Sequence, residues 1–205
     1  MRRSEVSGHP SLPWLRLAAW RKRRGLSQRA LAEGIVTQTM LSHIERGRVF
    51  PSEATLVQLA RRLELPEEEL LAEWRAWRGR ERMRARLWQA AVRRDAAALQ
   101  AELAVAATVV SPFEIAVYAA WAAAIAGSWR EADRRLTDAW LQHGMPDLPA
   151  LARRRVLAAS AWVNASVAAS CGRGLAAQYW RDRARRFADT RVAAQISEGA
   201  HQKDF

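Results

Sequence analysis

Residues 26–47, LSQRALAEGIVTQTMLSHIERG, decide the fold. Ser27 can cap a helix, because its hydroxyl can accept a bond from a free backbone N–H at the helix start. Leu31, Ala32 and Ile35 fall at helical spacing and give that short helix one apolar face. Gly34-Ile35-Val36 closes it, and Thr37 can cap a second helix. At about 100° per residue, Gln38, Thr39, Ser42, His43 and Arg46 share one arc of that second helix, with Leu41 and Ile44 opposite. One face is therefore anchored in a core. The other projects an amide, hydroxyls, an imidazole and a guanidinium from a rigid element, which is what reading the edges of a DNA major groove requires.

With its flanking helices, this stretch resembles the helix-turn-helix family of phage repressors and Cro, the xenobiotic-response-element type. The resemblance runs from about Leu15 to Leu71. It rests on Arg21 with Gly25-Leu26-Ser27-Gln28, on Leu31-Ala32-Glu33, and on Leu41-Ser42-His43-Ile44-Glu45-Arg46-Gly47. Pro51-Ser52, Thr55-Leu56 and Leu59-Ala60 complete it. It implies five helices in order. It also implies a phosphate contact from Gln28, base or nearby backbone contacts from Gln38, Thr39, Met40 and His43, and an internal ion pair between Arg21 and Glu45. Thr37, Ser42, Arg46 and Arg48 complete the candidate DNA-binding set. The turn between the central helices is one residue shorter than in the plain repressor pattern. In that respect the chain is similar to the Rgg, PlcR and NprR subgroup, which carries a tetratricopeptide-like helical domain and in many cases answers to short signalling peptides.

Composition agrees with a nucleic-acid partner. The 205 residues carry a net charge of +12, unevenly spread. Residues 1–66 hold 12 basic and 5 acidic side chains, net +7; residues 67–94 are net +3 and residues 95–205 net +2. The excess sits on and beside the recognition stretch, as an electrostatic footprint should. A preference for Arg explains why Lys appears only at Lys22 and Lys203, but it does not explain the gradient. Cys171 is the single cysteine, which excludes an intramolecular disulfide and a Cys-rich metal site. The first ten residues lack the apolar run of a signal peptide, and the Ala-rich run 116–126 is too short to span a bilayer. A cytoplasmic protein with no membrane partner is expected.

The rest of the chain reads as all-α. The expected order is a flexible arm over 1–11, the helix-turn-helix domain over 12–72, a helical linker over 73–94, a tetratricopeptide-like domain over 95–195 and a tail over 196–205. Arg2 and Arg3 in the arm could touch DNA. The first helix is expected over about 12–24, closed by Gly25, with Arg21 to Arg24 near its C-terminal end, where they suit the helix dipole or a phosphate equally. Pro66 and Glu67-Glu68-Glu69 open a helix that Gly79 is expected to break. Hairpins are expected to pair 81–94 with 96–109, 113–126 with 129–143, and 148–170 with 175–194. Ala98 to Ala132 is 34 residues, the tetratricopeptide period, while Ala132 to Ala177 is 45, so the third unit must hold extra residues. An irregular helical bundle is the alternative.

No catalytic constellation is present in the sequence. The histidines at 9, 43, 143 and 201 have no metal-ligand spacing. There is no glycine-rich phosphate loop and no G-x-S-x-G elbow, so neither a metal, a cofactor nor an enzyme is expected. Asn164 is the only Asn, set in an apolar run. The subgroup resemblance makes it a candidate peptide contact, and bonding to a neighbouring helix is its plain structural role. Two functions compete: a sequence-specific regulator acting as a homodimer, or a peptide or protein receptor whose helix-turn-helix is a scaffold. Trp74, Trp77, Trp88, Trp121 and Trp140 are more apolar surface than so small a repeat array is expected to bury, and this favours pairing through the residues after about 66.

Overall fold

Three hydroxyls set the frame of the first half. Ser27, Thr37 and Ser52 each accept a hydrogen bond from the backbone N–H three residues on, at 3.0, 3.1 and 3.1 Å. They start helices α2 (Gln28–Ala32), α3 (Gln38–Glu45) and α4 (Glu53–Arg62). Before them come a 3₁₀ turn at Pro13–Arg16 and helix α1 (Leu17–Arg23). After them comes α5 (Glu67–Val92), with three glutamates in its first turn. This is a computed structural model, and it describes residues 13–188. The arm expected over 1–11, with Arg2 and Arg3, and the tail expected over 196–205 lie outside the described residues.

The chain divides into two units, Met1–Gly79 and Arg80–Phe205. The core of the first gathers one stripe from each helix: Trp14, Leu17, Leu31, Leu41, Ile44, Leu56, Leu59, Leu63, Leu70 and Trp74, all buried. These positions recur at three- and four-residue steps, which is how an amphipathic helix presents one face. Gly34 stands at φ +71° between α2 and α3, a left-handed conformation that other residues adopt at a cost. It lets the chain turn tightly enough to set α3 across α2, against which it packs.

The second unit begins with the last part of α5, which contributes Met83, Leu87, Trp88 and Ala91 to its core. Four further helices share this core: α6 (Ala96–Ala106), α7 (Pro112–Ile125), α8 (Trp129–Gln142) and α9 (Ala150–Ser170), with α10 (Gly174–Phe187) closing the described chain. Helices α7 and α8 pack together, as do α9 and α10, across short turns. Gly127 (φ +80°) makes the first reversal possible. Small residues permit close approach: Ala120, Ala122, Ala124, Ala132, Ala139, Ala158 and Ala159 are all buried. Trp88, Trp121 and Trp162 fill the space between them, with ring centroids 5.6 and 5.2 Å apart in succession. The described residues are helices and connections with no strand, and no helix among them is long and apolar enough to cross a membrane.

Several expectations change. Gly79 does not break the chain's longest helix, because α5 runs 26 residues with Gly79 inside it. A mid-helix glycine costs only about 1 kcal/mol relative to alanine, and Trp74 and Leu87 anchor the turns on either side. The segment expected as a linker is divided between two cores, with Trp74 in the first and Met83 to Ala91 in the second. The expected first helix opens as a 3₁₀ turn at Pro13 and is regular only from Leu17. The extra residues of the third hairpin lie mainly in its first helix, 21 residues in α9 against 14 in α7. Of the five tryptophans not all of which were expected to be buried, Trp140 is exposed and Trp77 half-buried, while Trp74, Trp88 and Trp121 are buried.

Candidate nucleic-acid interface

The interface is assembled on α3. Its buried side is Leu41, Ile44 and Glu45. A helix with these positions inward must present Thr39, His43 and Arg46 outward, with Gln38 and Ser42 on one flank and Met40 on the other. Thr37, Gln38, Thr39, Met40, Arg46 and Arg48 are exposed, while Ser42 and His43 are half-buried. The side chains of Gln38, Thr39, Ser42 and His43 form no hydrogen bond with the described residues. Their donors and acceptors stay available to a partner. Thr37 is the exception, since its hydroxyl is occupied in capping α3.

Beneath this face lies a polar network. Arg21, from α1, donates to Glu45 through Nε at 2.6 Å and through Nη2 at 3.0 Å, a two-point clamp. Its Nη1 donates to the Leu26 carbonyl at 2.9 Å. Both residues are 9% exposed. Burial pushes the Glu45 carboxyl up, but the bonds from Arg21 and Gln28 and the charges of Arg21 and Lys22 outweigh it, and the group ends below its ordinary value. The bond to Glu45 raises Arg21 against the opposing effect of its burial.

Gln28 departs from its sequence reading. Its Nε2 donates to Glu45 Oε2 at 2.8 Å, so one amide donor is committed inside the protein. The second N–H remains as a donor for a phosphate oxygen. Glu45, at the end of α3, thus ties the end of α1 to the start of α2. The Arg21–Glu45 tie had a signal in sequence, through the family resemblance; the Gln28–Glu45 tie had none, since nothing in a 17-residue separation fixes which way an amide turns.

Charge is distributed to match. Arg23, Arg29, Arg46 and Arg48 are exposed, and none pairs with a carboxylate among the described residues. Elsewhere in the same unit four exposed arginines are neutralised: Arg16 by Glu73, Arg24 by Glu64, Arg61 by Glu67 and Arg75 by Glu53; Arg62 instead bonds backbone carbonyls and Arg78 lies over the Trp74 ring. A shallow depression lined by Arg29, Ala32, Glu33, Val36 and Gln38 adjoins the start of α3. Sequence reasoning passed over Arg29. It also passed over Arg62, whose guanidinium donates to the Glu33 and Leu31 carbonyls and so braces the end of α2.

In the second unit, Asn164 is half-buried in the middle of α9, and its amide makes no hydrogen bond among the described residues. The buried polar network there is a different one, built on Arg84. It donates to Glu114 at 2.8 and 3.0 Å and to Glu81 at 2.6 Å. Glu114 also receives the Ser111 hydroxyl at 2.9 Å and completes a capping box for α7. Nearby, Tyr118 is fully buried, and burial holds its phenol well above the usual range. Cys171 is exposed at the α9–α10 turn. No group of His, Cys, Asp and Glu among the described residues could hold a metal ion.

Residues 17–70 match the helix-turn-helix family. No curated protein matches the chain. Among solved structures, similarity is found to PlcR of Bacillus thuringiensis in complex with the peptide PapR7 and DNA, at 14% identity over 95% of this chain and 89% of that one, with a TM-score of 0.37. The apo form of the competence regulator ComR from Streptococcus vestibularis is similar at 14% identity over 95% and 99%, with a TM-score of 0.30. The pheromone receptor Rgg2 of Streptococcus dysgalactiae is similar at 12% identity over 95% and 87%, with a TM-score of 0.28.

Proposed function

We propose that this chain, whose residues 17–70 form a helix-turn-helix domain of the xenobiotic-response-element type, is a sequence-specific transcription regulator that reads the DNA major groove with α3. One observation carries the reading. The exposed arginines around α3 have no carboxylate partners among the described residues, while four of those elsewhere on the first unit do. Unpaired guanidinium groups beside a face of free amides, hydroxyls and imidazole are an arrangement for phosphates and base edges. Gln38, Thr39, Met40, Ser42 and His43 take the base-edge roles. Gln28, Arg46 and Arg48 take phosphates, and the Thr37 cap presents the start of α3 to the backbone.

The protein acts as a homodimer, since one module of this size offers few base contacts and such modules gain affinity by pairing on two half-sites. The second unit supplies the pairing. Selection of bound duplexes from a random pool by the intact chain tests this. The expected result is an inverted repeat with half-site centres about one helical turn apart, or a multiple of it. A pool that stays random after selection contradicts the reading.

A second activity, recognition of a short peptide by the second unit, is favoured by Asn164. An amide left unbonded and half-buried in a helix can take the backbone of an extended chain. Calorimetry of the intact chain against a linear peptide library is expected to yield a binder whose affinity falls in Asn164→Ala. A library without binders retires the peptide and leaves the DNA reading standing.

A further inference from the structure

The second unit is nearly neutral along the sequence, yet its charges are not evenly placed. The last two turns of α10 hold Arg181, Arg183, Arg185 and Arg186, with Asp182 as their single acid. Arg154, at the start of α9, lies against the same end, its Nε and Nη2 donating to the Phe187 and Ala188 carbonyls at 3.3 Å each. All of these arginines are exposed. Arg185 is partly neutralised by Asp182, at 3.0 Å. Arg183 bonds the Tyr179 hydroxyl at 3.0 Å, and its guanidinium lies over the Tyr179, Trp180 and Phe187 rings. Arg181 and Arg186 have no partner among the described residues.

Like charges at three- and four-residue steps destabilise an isolated helix. A cluster this dense gains from a polyanion. The buried side of α10 is Ala177 and Ala184, so at about 100° per residue Arg186 faces directly away from it, with Arg183 to one side and Arg185 and Arg181 to the other. Tyr179, 53% exposed, falls between Arg183 and Arg186. A protein already bound to a duplex meets one polyanion at high local concentration, the phosphate backbone beside its site.

We propose that this end of the α9–α10 hairpin is a second phosphate-contact surface, which holds the duplex DNA backbone without reading its sequence. The proposal rests on the DNA-binding reading above and adds to it a contact outside the helix-turn-helix. Its signature is electrostatic. Each neutralised phosphate contributes about 0.9 to the slope of log affinity against log salt.

The test is that slope, measured for the intact chain on a long mixed-sequence duplex. Arg181→Ala/Arg186→Ala should lower it by about two contacts without lowering thermal stability, since it relieves like-charge repulsion. Arg181→Lys/Arg186→Lys should keep the slope. Arg46→Ala reports on the first unit independently. A wild-type chain with no affinity for the duplex at low salt overturns this surface together with the DNA reading. A slope that responds to Arg46→Ala but not to the α10 pair overturns this surface alone. Poly-glutamate is the competing probe: binding that depends on the α10 pair, with the DNA slope unchanged, assigns the cluster to an acidic protein and also overturns the proposal.

Discussion

Glu45 is a carboxylate folded into an apolar core, and such a group survives only if donors replace its water. Three do: two from Arg21 and one from Gln28. Removing it leaves the Arg21 guanidinium buried without its counter-charge, so Glu45→Ala should destabilise the first unit by about 3–5 kcal/mol, read as a shift in denaturant midpoint. An unchanged midpoint would mean the pair is solvated in solution. The same network gives a pH dependence. The folded-state pKa of Glu45 lies below its ordinary value, so its contribution is present above the unfolded value of about 4.3 and is lost as pH falls through the lower folded value. The stability gap between wild type and Glu45→Gln should therefore shrink with acidification below that point. What sequence could supply here was the identity of the Arg21–Glu45 pair. It could not supply Arg84–Glu114, because 30 residues separate them and Arg84 sits among other arginines that all read as solvent-facing.

At the scale of elements, glycine chemistry separates the parts of the fold that were legible from those that were not. Gly34 was read as a stop and is one. Gly79 was read as a stop and lies inside α5. The difference is conformational: Gly34 has φ +71°, while Gly79 is helical, and neither has an atom within 4 Å of where a Cβ would stand. Opposite effects follow. Gly34→Ala should cost about 1–2 kcal/mol, since the left-handed turn that sets α3 against α2 strains any Cβ. Gly79→Ala should stabilise by about 0.5–1 kcal/mol, because a helical alanine loses less entropy on folding. Chemical denaturation of both variants checks the signs. A destabilising Gly79→Ala would mean that α5 bends there in solution. The starts of α2, α3 and α4 were legible because Ser27, Thr37 and Ser52 cap locally; that of α1, which has no side-chain cap, was not. The division of α5 between two cores was not either, since its apolar positions are interrupted at Arg78, Gly79 and Glu81, and sequence read that interruption as a break in the helix rather than as the passage of one helix from one core to the next.

At the scale of the molecule, Trp140, Leu141, Met145 and Leu151 are exposed around the α8–α9 connection of the second unit. The proposed pairing of two copies through this unit would cover them and give each α3 a symmetry mate. Sedimentation of the intact chain at micromolar concentration should report a dimer, and a monomer there would contradict the pairing. Base reading by α3 is measured by titrating the selected duplex with wild type and Gln38→Ala while varying one base pair at a time. Gln38→Ala should lose about 1–3 kcal/mol on the best site and lose preference at one or two base pairs. Arg46→Ala, by contrast, should weaken all sequences alike and lower the salt slope by about one. A Gln38→Ala variant that keeps both its affinity and its base preference would contradict the assignment of α3 to the major groove.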